Sequence, residues 1–148
     1  TKSFSTFLEY GYVNASFKNY YLNETNYSGN YIPFAPQNTL TLGANYTHIF
    51  HNNIFLDRLT TSVHYNSAGK IYWNNSNDAY QSYYGLINAS INLEKKNVSF
   101  RIWSKNILNK KYNAFYFEAA DLAGNINPLV QKGYPARFGA SLKYTIDY

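Results

Sequence analysis

The side chains best suited to bind a ligand in this chain are cations that alternate with apolar residues along strand-like segments. They are Arg58, Arg101, Lys105, Arg137 and Lys143. A wall lined with positive charge attracts an anionic solute. Such cations also pair with carboxylates, because a charge in a confined space needs a partner; Glu9, Glu94 and Asp147 are the candidates. Both interpretations are open at this point.

Aromatic side chains close to these cations offer a second kind of contact. Trp103 lies on the polar side of its segment, and Tyr116, Phe117 and Tyr134 follow it in the chain. Such rings stack on an aromatic ligand or anchor a protein at a membrane–water interface. We predict ligand contacts for Arg101, Arg137, Trp103, Tyr116 and Tyr134. We predict positions lining the same polar wall for Arg58, His64, Glu94, Lys105 and Lys143.

The sequence offers no support for enzyme chemistry. It contains no cysteine, which excludes disulfides, thiolate zinc sites and cysteine nucleophiles. It also lacks a carboxylate pair, a nucleophile motif and a glycine-rich phosphate loop. The spacing of His48, His51 and His64 does not indicate metal or haem ligation. We therefore predict a protein that is not an enzyme, with no cofactor and no metal site.

The composition is rich in tyrosine and poor in charge. Aromatic residues make up 20% of the chain and charged residues only 14%, against roughly 25% charged residues in an ordinary globular domain. The net charge of +5 comes from scattered basic residues, which argues against nucleic-acid binding. Methionine is absent, so we expect these residues to be a segment of a longer protein.

Polar and apolar residues alternate with a period of two along most of the chain, which is typical of β-strands. The pattern predicts about seven strands, at residues 3–17, 38–50, 55–72, 82–94, 98–106, 111–120 and 137–148. The first is the least regular, because Phe7, Val13 and Phe17 share the side of Glu9. Elsewhere the charges fall opposite the apolar residues, so each strand has a dry face and a wet face. No linker or repeat divides the chain, and residues 1–148 form one structural unit.

Two architectures place dry and wet faces on alternate residues. In a soluble sandwich or small barrel the dry face points into a core, whereas in a transmembrane barrel it points at lipid. Tyrosines crowd the predicted strand ends, as in the aromatic girdles of outer-membrane barrels. The composition favours an all-β, antiparallel, up-and-down transmembrane barrel. The alternatives are a soluble barrel or sandwich that binds a small ligand inside, and the barrel of an adhesin or autotransporter.

Two terminal motifs carry a family resemblance. The stretch "NILNKKYNAFYF" at residues 106–117 and the stretch "GYPARFGASLKYTIDY" at residues 133–148 resemble the C-terminal end of a TonB-dependent outer-membrane receptor. The upstream stretches "EYGYVNASFKNY" and "YSGNYIPFAPQNTLTLGANY" also match the pattern of that family. The chain departs from the family at Ile107, where Leu is usual, at the inserted Ala136, and at the final Tyr148.

This resemblance implies a bacterial outer-membrane barrel of about 22 strands, filled by an N-terminal plug domain that carries the TonB-contacting box. Residues 1–148 would be the C-terminal portion of that barrel, without the plug or the box. The implied activity is TonB-dependent uptake of a scarce solute such as a ferric siderophore or another iron complex. The implied partners are outer-membrane lipid, the protein's own plug, the TonB complex and the iron chelate.

The resemblance also implies an orientation for the connections. The turn at Asn106–Lys111 would be periplasmic. The tight turns at His51–Asn53 and Lys95–Asn97, and the loop at Ala119–Tyr134, would face outside. Because the edges of an open wall invite pairing between chains, we expect the isolated segment to associate or to be disordered.

Overall fold

The computed structural model describes residues 3–51 and 54–146, which form strands, turns and loops. The strands are β1 (Phe4–Tyr12), β2 (Tyr21–Leu22), β3 (Thr25–Asn26), β4 (Asn38–Ile49), β5 (Arg58–Ala68), β6 (Ile71–Tyr72), β7 (Tyr80–Gln81), β8 (Tyr84–Lys95), β9 (Val98–Lys105), β10 (Asn113–Ala120), β11 (Ile126–Lys132) and β12 (Arg137–Tyr144). In the described residues no helix has the length and hydropathy needed to cross a membrane.

Six strands form one sheet in the order β1-β4-β5-β8-β9-β12, which we call the wall. Every neighbouring pair in it is antiparallel. The wall is open, with β1 and β12 at its edges. The other six strands form three two-stranded ribbons, β2–β3, β6–β7 and β10–β11. The predicted all-β antiparallel fold is confirmed, and the predicted strand at 111–120 lies in the β10–β11 ribbon rather than in the wall.

The connections between wall strands differ in length at the two ends of the wall. At the short-turn end, residues 50–57 join β4 to β5 and residues 96–97 join β8 to β9. At the long-loop end, residues 13–37, 69–83 and 106–136 join the remaining consecutive wall strands. All three ribbons lie within these long connections.

The predicted placement of the late turns was wrong. Sequence analysis put Asn106–Lys111 and Ala119–Tyr134 at opposite ends of the wall. The pairing of β12 with β9 shows that both belong to one connection at the long-loop end, and that Lys95–Asn97 lies at the other end. The reason is that the chain does not reverse after β9: it continues into β10 and returns through β11. The turn at His51–Asn53 includes residues outside the described ranges, but β4 and β5 meet at the short-turn end.

The wall has an apolar face and a polar face, because successive side chains along a strand point to opposite sides. The cross-strand register places these residues on the apolar face: Leu8, Leu42, Val63, Ile91, Ile102 and Leu142. Nothing among the described residues covers them, and Leu8, Ile102 and Leu142 are 67%, 50% and 73% exposed. No side chain in the described part of the chain is fully buried. The wall therefore has no core of the kind a soluble sandwich needs.

Packing is concentrated among the long loops. The buried hydrophobic residues of the described ranges are Ile71 and Trp73. The ring of Phe34 lies 5.6 Å from the ring of Trp73 and 5.5 Å from that of Phe115, centroid to centroid. The Phe34 amide also donates a 2.8 Å hydrogen bond to the carbonyl of Tyr72. These contacts join segments from all three long connections and position the β10–β11 hairpin beside the others.

Candidate functional site

Eight of the ten predicted site residues lie on the wall, and all eight share its polar face. Register pairs connect them across the strands, for example Arg58 with Glu94 and Lys105 with Arg137. The eight residues are Arg58, His64, Glu94, Arg101, Trp103, Lys105, Arg137 and Lys143. The period-two pattern thus predicted correctly which side of the wall each residue occupies.

Four of these residues line one depression of about 550 Å³ on the polar face. They are His64, Arg101, Trp103 and Lys105. The neighbouring lining residues include Asn45, Ser62, Asn88 and Ser90, whose side chains offer amide and hydroxyl groups. The depression therefore combines positive charge, one indole ring and neutral hydrogen-bonding groups, and it suits an anion that carries an aromatic ring.

Trp103 is held in this depression by a glycine on the next strand. Gly139 pairs directly with Trp103 in the register of β9 and β12. A Cβ atom built on Gly139 would lie 2.6 Å from Trp103 Cε2, and closer still to Cζ2. A side chain at position 139 would collide with the indole, so a glycine is needed there for the ring to occupy its place in the lining of the depression.

Lys105 and Arg137 stand directly opposite each other in the register. Like charges in this position repel each other, and each cation rests against an aromatic ring. Lys105 Nζ lies 5.9 Å from the centre of the Trp103 ring, and the Arg137 guanidinium carbon lies 4.0 Å from the centre of the Tyr134 ring. Cation–π attraction partly offsets the repulsion. Two cations flanked by two rings therefore lie at the long-loop end of β9 and β12.

Arg58 and Glu94 form an ion pair at the short-turn end, with Arg58 Nη1 3.2 Å from Glu94 Oε2. Their side chains are 51% and 31% exposed. Asn92 donates a further 2.7 Å hydrogen bond to Glu94 Oε1. This pair fulfils one of the expected cation–carboxylate contacts. The expected partner Asp147 lies outside the described residues, and Glu9 has no ion pair within the described ranges.

Arg101 and Lys143 line a second depression of about 400 Å³ on the polar face, nearer the short-turn end of the wall. Arg101 donates a 3.2 Å hydrogen bond to the hydroxyl of Ser90. Neither cation has a carboxylate within ion-pair distance among the residues that the structure describes. The remaining lining groups are hydroxyls and amides, so the positive charge of this depression is not neutralised by the described chain.

The two loop residues of the predicted ligand set differ in position. Tyr134 reaches the wall through its contact with Arg137. Tyr116 lies on β10, outside both depressions. Its hydroxyl donates a 2.8 Å hydrogen bond to Glu118 Oε1. That bond raises the pKa of the Tyr116 phenol, because the ionised phenolate would face the carboxylate.

The histidines take part in ring contacts. The His64 ring meets Phe7 edge to face at 5.6 Å on the polar face. His48 lies 4.5 Å from the ring of Phe50 on the apolar face. In the described ranges no group of three or more His, Cys, Asp or Glu side chains could hold a metal ion.

Asn106 is a residue whose importance the sequence did not reveal. It is 4% exposed, and its backbone has a positive φ of 50°. Its amide nitrogen Nδ2 donates to the carbonyls of Lys110 at 2.9 Å and Tyr134 at 3.0 Å, while its Oδ1 accepts from the Lys110 amide at 2.8 Å. Its own backbone amide donates to Asn88 Oδ1 at 3.0 Å. Asn106 therefore links the end of β9 to the segment before β12 and places Tyr134 beside the site.

A second asparagine of the "NILNKK" motif, Asn109, supports the same junction. Asn109 has a positive φ of 50°, and its Oδ1 accepts a 3.0 Å hydrogen bond from the Ala136 amide. Asparagine tolerates the left-handed backbone conformation better than most residues. Its position in the recognised motif was the available signal, but its partner is 27 residues away in sequence.

Taken together, an open antiparallel wall with an uncovered apolar face, a cation-lined polar face and long loops at one end defines part of a transmembrane β-barrel. No protein-family model matches the chain. Solved outer-membrane receptors share its fold, and the predicted resemblance to such a receptor is confirmed as a likeness of fold.

The ferric yersiniabactin uptake receptor FyuA from Yersinia pestis is 14% identical, with a TM-score of 0.77 over 97% of this chain and 21% of that protein. The siderophore receptor PiuA from Acinetobacter baumannii is 18% identical, with a TM-score of 0.68 over 97% of this chain and 20% of that protein. The ferric preacinetobactin receptor BauA from Acinetobacter baumannii is 24% identical, with a TM-score of 0.61 over 80% of this chain and 16% of that protein. The chain thus spans about a fifth of the length of these receptors.

Proposed function

We propose that this chain forms part of the barrel wall of a TonB-dependent receptor, located in a bacterial outer membrane, that takes up iron bound to a siderophore. The observation that carries the proposal is the pair of opposed faces in a fold shared with three siderophore receptors. Lipid covers the apolar face, since its leucines and isoleucines have no protein partner in the described ranges. A soluble barrel or sandwich would bury those side chains.

The lengths of the connections give the orientation. Outer-membrane barrels have short periplasmic turns and longer extracellular loops. The long-loop end therefore faces outside and the short-turn end faces the periplasm. This orientation puts Trp103, Lys105 and Arg137 near the outer mouth of the barrel, where a solute first meets the wall.

In this proposal the ligand contacts come from cations and rings at that mouth. Arg101 and Arg137 attract the negative charge of a ferric chelate, and Trp103 and Tyr134 stack against its aromatic groups. Tyr116 contributes from the β10–β11 hairpin. The wall keeps its shape, while a plug domain in the preceding part of the protein responds to TonB. The ion pair between Arg58 and Glu94 has a structural role in the wall.

Uptake of ⁵⁵Fe-loaded siderophores by iron-starved cells that express the full-length protein tests the proposal. We expect uptake that requires an intact tonB gene, and a protein that fractionates with the outer membrane and needs detergent for solubility. Trp103→Ala should weaken siderophore binding about threefold to tenfold, the equivalent of about 0.5–1.5 kcal/mol for one ring contact. Tyr21→Ala is the matched control, because Tyr21 is a ring on an exposed loop strand.

A full-length protein that stays soluble and monomeric without detergent contradicts the membrane assignment. Uptake that proceeds at the same rate without TonB contradicts the energy source while leaving the barrel in place.

A further inference from the structure

Four cations of the polar face follow one another along β9 and β12, from the long-loop end of the wall toward its short-turn end. Lys105 and Arg137 occupy the long-loop end of β9 and β12. Arg101 lies four residues below Lys105, about 13 Å along the strand, and Lys143 lies one further step of about 7 Å toward the short-turn end. Positive charge therefore continues from the proposed outer mouth toward the periplasmic end.

No acidic side chain of the described ranges neutralises this row. Their ion pairs are Arg58 with Glu94 and Lys95 with Asp57. Glu9, also on the polar face, belongs to β1 at the far edge of the wall, four strand spacings or about 19 Å from β9. Glu94 on β8 is level with Lys143, because both pair with Ser99 in the register, but its carboxylate is already paired with Arg58. The strands beside β9 and β12 therefore leave this row with a net positive charge.

The two depressions of the polar face join into one furrow beneath this row. Both are lined by Ser62, Ser90 and Arg101. The lower depression adds the hydroxyl groups of Thr60, Ser99 and Ser141 and the amide of Asn92. Hydroxyl and amide groups donate hydrogen bonds to oxyanions without competing for their charge. The lower furrow can therefore hold a carboxylate or phosphate group that has left the outer mouth.

We propose that Arg137, Lys105, Arg101 and Lys143 form a transit track for anionic solutes, in which Arg101 and Lys143 provide a second, weaker anion position below the outer binding site. The inference rests on the proposed uptake function and adds the charge class of the solute and its path. A series of weak positions suits passage better than one tight site, because the solute must leave each position to move on.

Substitution of Lys143 can distinguish passage of the solute along the wall from its first binding at the outer mouth. The reason is that Lys143 lies at the opposite end of the wall from Trp103 and Arg137. In the full-length receptor we expect Lys143→Glu to lower the maximal uptake rate of an anionic ferric tricatecholate by on the order of threefold to tenfold. The affinity measured at the cell surface should stay unchanged, as should uptake of an uncharged ferric trihydroxamate. Lys143→Gln should give a smaller effect in the same direction. The matched control is Lys18→Gln combined with Lys111→Gln, which removes two exposed cations outside the wall strands.

If Lys143→Glu imports each chelate at the same rate as wild type does, the proposed track is overturned. An equal loss for both chelates, together with a lower unfolding temperature, also overturns it, because Lys143 would then hold an acidic side chain of the protein's own preceding segment. Calorimetric titration of the purified full-length protein with citrate distinguishes this failure from failure of the uptake function. If citrate binds weakly to wild type and does not bind when Arg101 and Lys143 are both changed to Gln, the anion positions are supported, even if wild type imports neither chelate. If citrate does not bind to wild type, the anion positions are rejected.

Discussion

Adding a single methyl group at Gly139 should displace the ring that faces the proposed ligand. A Cβ atom there would lie 2.6 Å from Trp103 Cε2, whereas ordinary van der Waals contact begins at 3.4 Å. The indole must therefore move by at least 0.8 Å, the difference between 3.4 and 2.6 Å. Strand pairing holds the backbones of β9 and β12 in place, so the indole has to leave its preferred position. We therefore expect Gly139→Ala to cost about 1–3 kcal/mol, typical of overpacking.

The assay is a double-mutant cycle on the full-length protein in detergent. Gly139→Ala, Trp103→Ala and the double variant are compared by unfolding temperature and by siderophore affinity. If the methyl group acts by pushing the ring, Gly139→Ala should destabilise the wild-type background and have almost no effect when Trp103 is already Ala. Ser141→Ala, two residues along the same strand and face, is the control.

A different result would refute this reasoning directly. If Gly139→Ala costs the same in both backgrounds, the effect comes from the β12 backbone and not from the indole. If the affinity for the siderophore stays unchanged while the ring is displaced, Trp103 does not contact the ligand. Its role on the polar face is then structural only.

Three further predictions concern the junction, the ion pair and the hairpin tip. Asn106→Ala should cost about 2–4 kcal/mol in unfolding free energy and lower siderophore affinity through Tyr134. The reason is that the carbonyls of Lys110 and Tyr134 and the Lys110 amide lose their partner in partly buried hydrogen bonds. Asn109→Ala, which loses one bond, should cost less. Arg58→Gln should change stability by at most about 1 kcal/mol, since the pair with Glu94 is well exposed, and a larger loss would show that Arg58 has another partner. Hydrogen bonds from Asn125 lower the pKa of Asp121 below its ordinary value of 3.8. Asp121 therefore orders the β10–β11 tip above that pH and stops doing so as the pH falls through the lowered pKa. Protease cleavage within residues 121–125 should be slower in wild type than in Asp121→Asn above pH 3.8 and equal in both once the pH is below the lowered pKa, whereas a difference that persists there would exclude the carboxylate.

The wall could be predicted from the sequence because its physics is local to each strand. Alternation with a period of two is the direct consequence of pointing successive side chains to opposite sides. Trp103, Arg101 and Lys105 therefore fell on the correct face before any pairing was known. Phe7 departs from this pattern, because it is an apolar ring on the polar side. The structure explains it, because the Phe7 ring covers Gly43 of the next strand and meets His64 edge to face.

The junction after β9 could not be predicted in the same way. An asparagine-rich stretch between two strands is typical of a turn that reverses the chain. Whether it does so depends on which strand β9 pairs with, and β12 begins at Arg137, 32 residues after β9 ends at Lys105. Lys110 is a local partner of Asn106, but its other two partners are also distant, with Asn88 18 residues before it and Tyr134 28 residues after it. Contacts at such separations leave no periodic pattern in the sequence.

A wall without a core must fix its strand register by other means, and here it does so with rings placed over glycines. Tyr65 covers Gly85 on the apolar face, while Phe7 covers Gly43 and Trp103 covers Gly139 on the polar face. Each ring fits only where the neighbouring strand has no side chain, so a slip by one residue would bring a side chain into the ring. The Trp103 pair fixes β12 against β9 and, in the proposed function, presents the indole to the ligand. Register and recognition are then set by the same contact, and a change that loosens the last strand pair should weaken binding at the outer mouth as well.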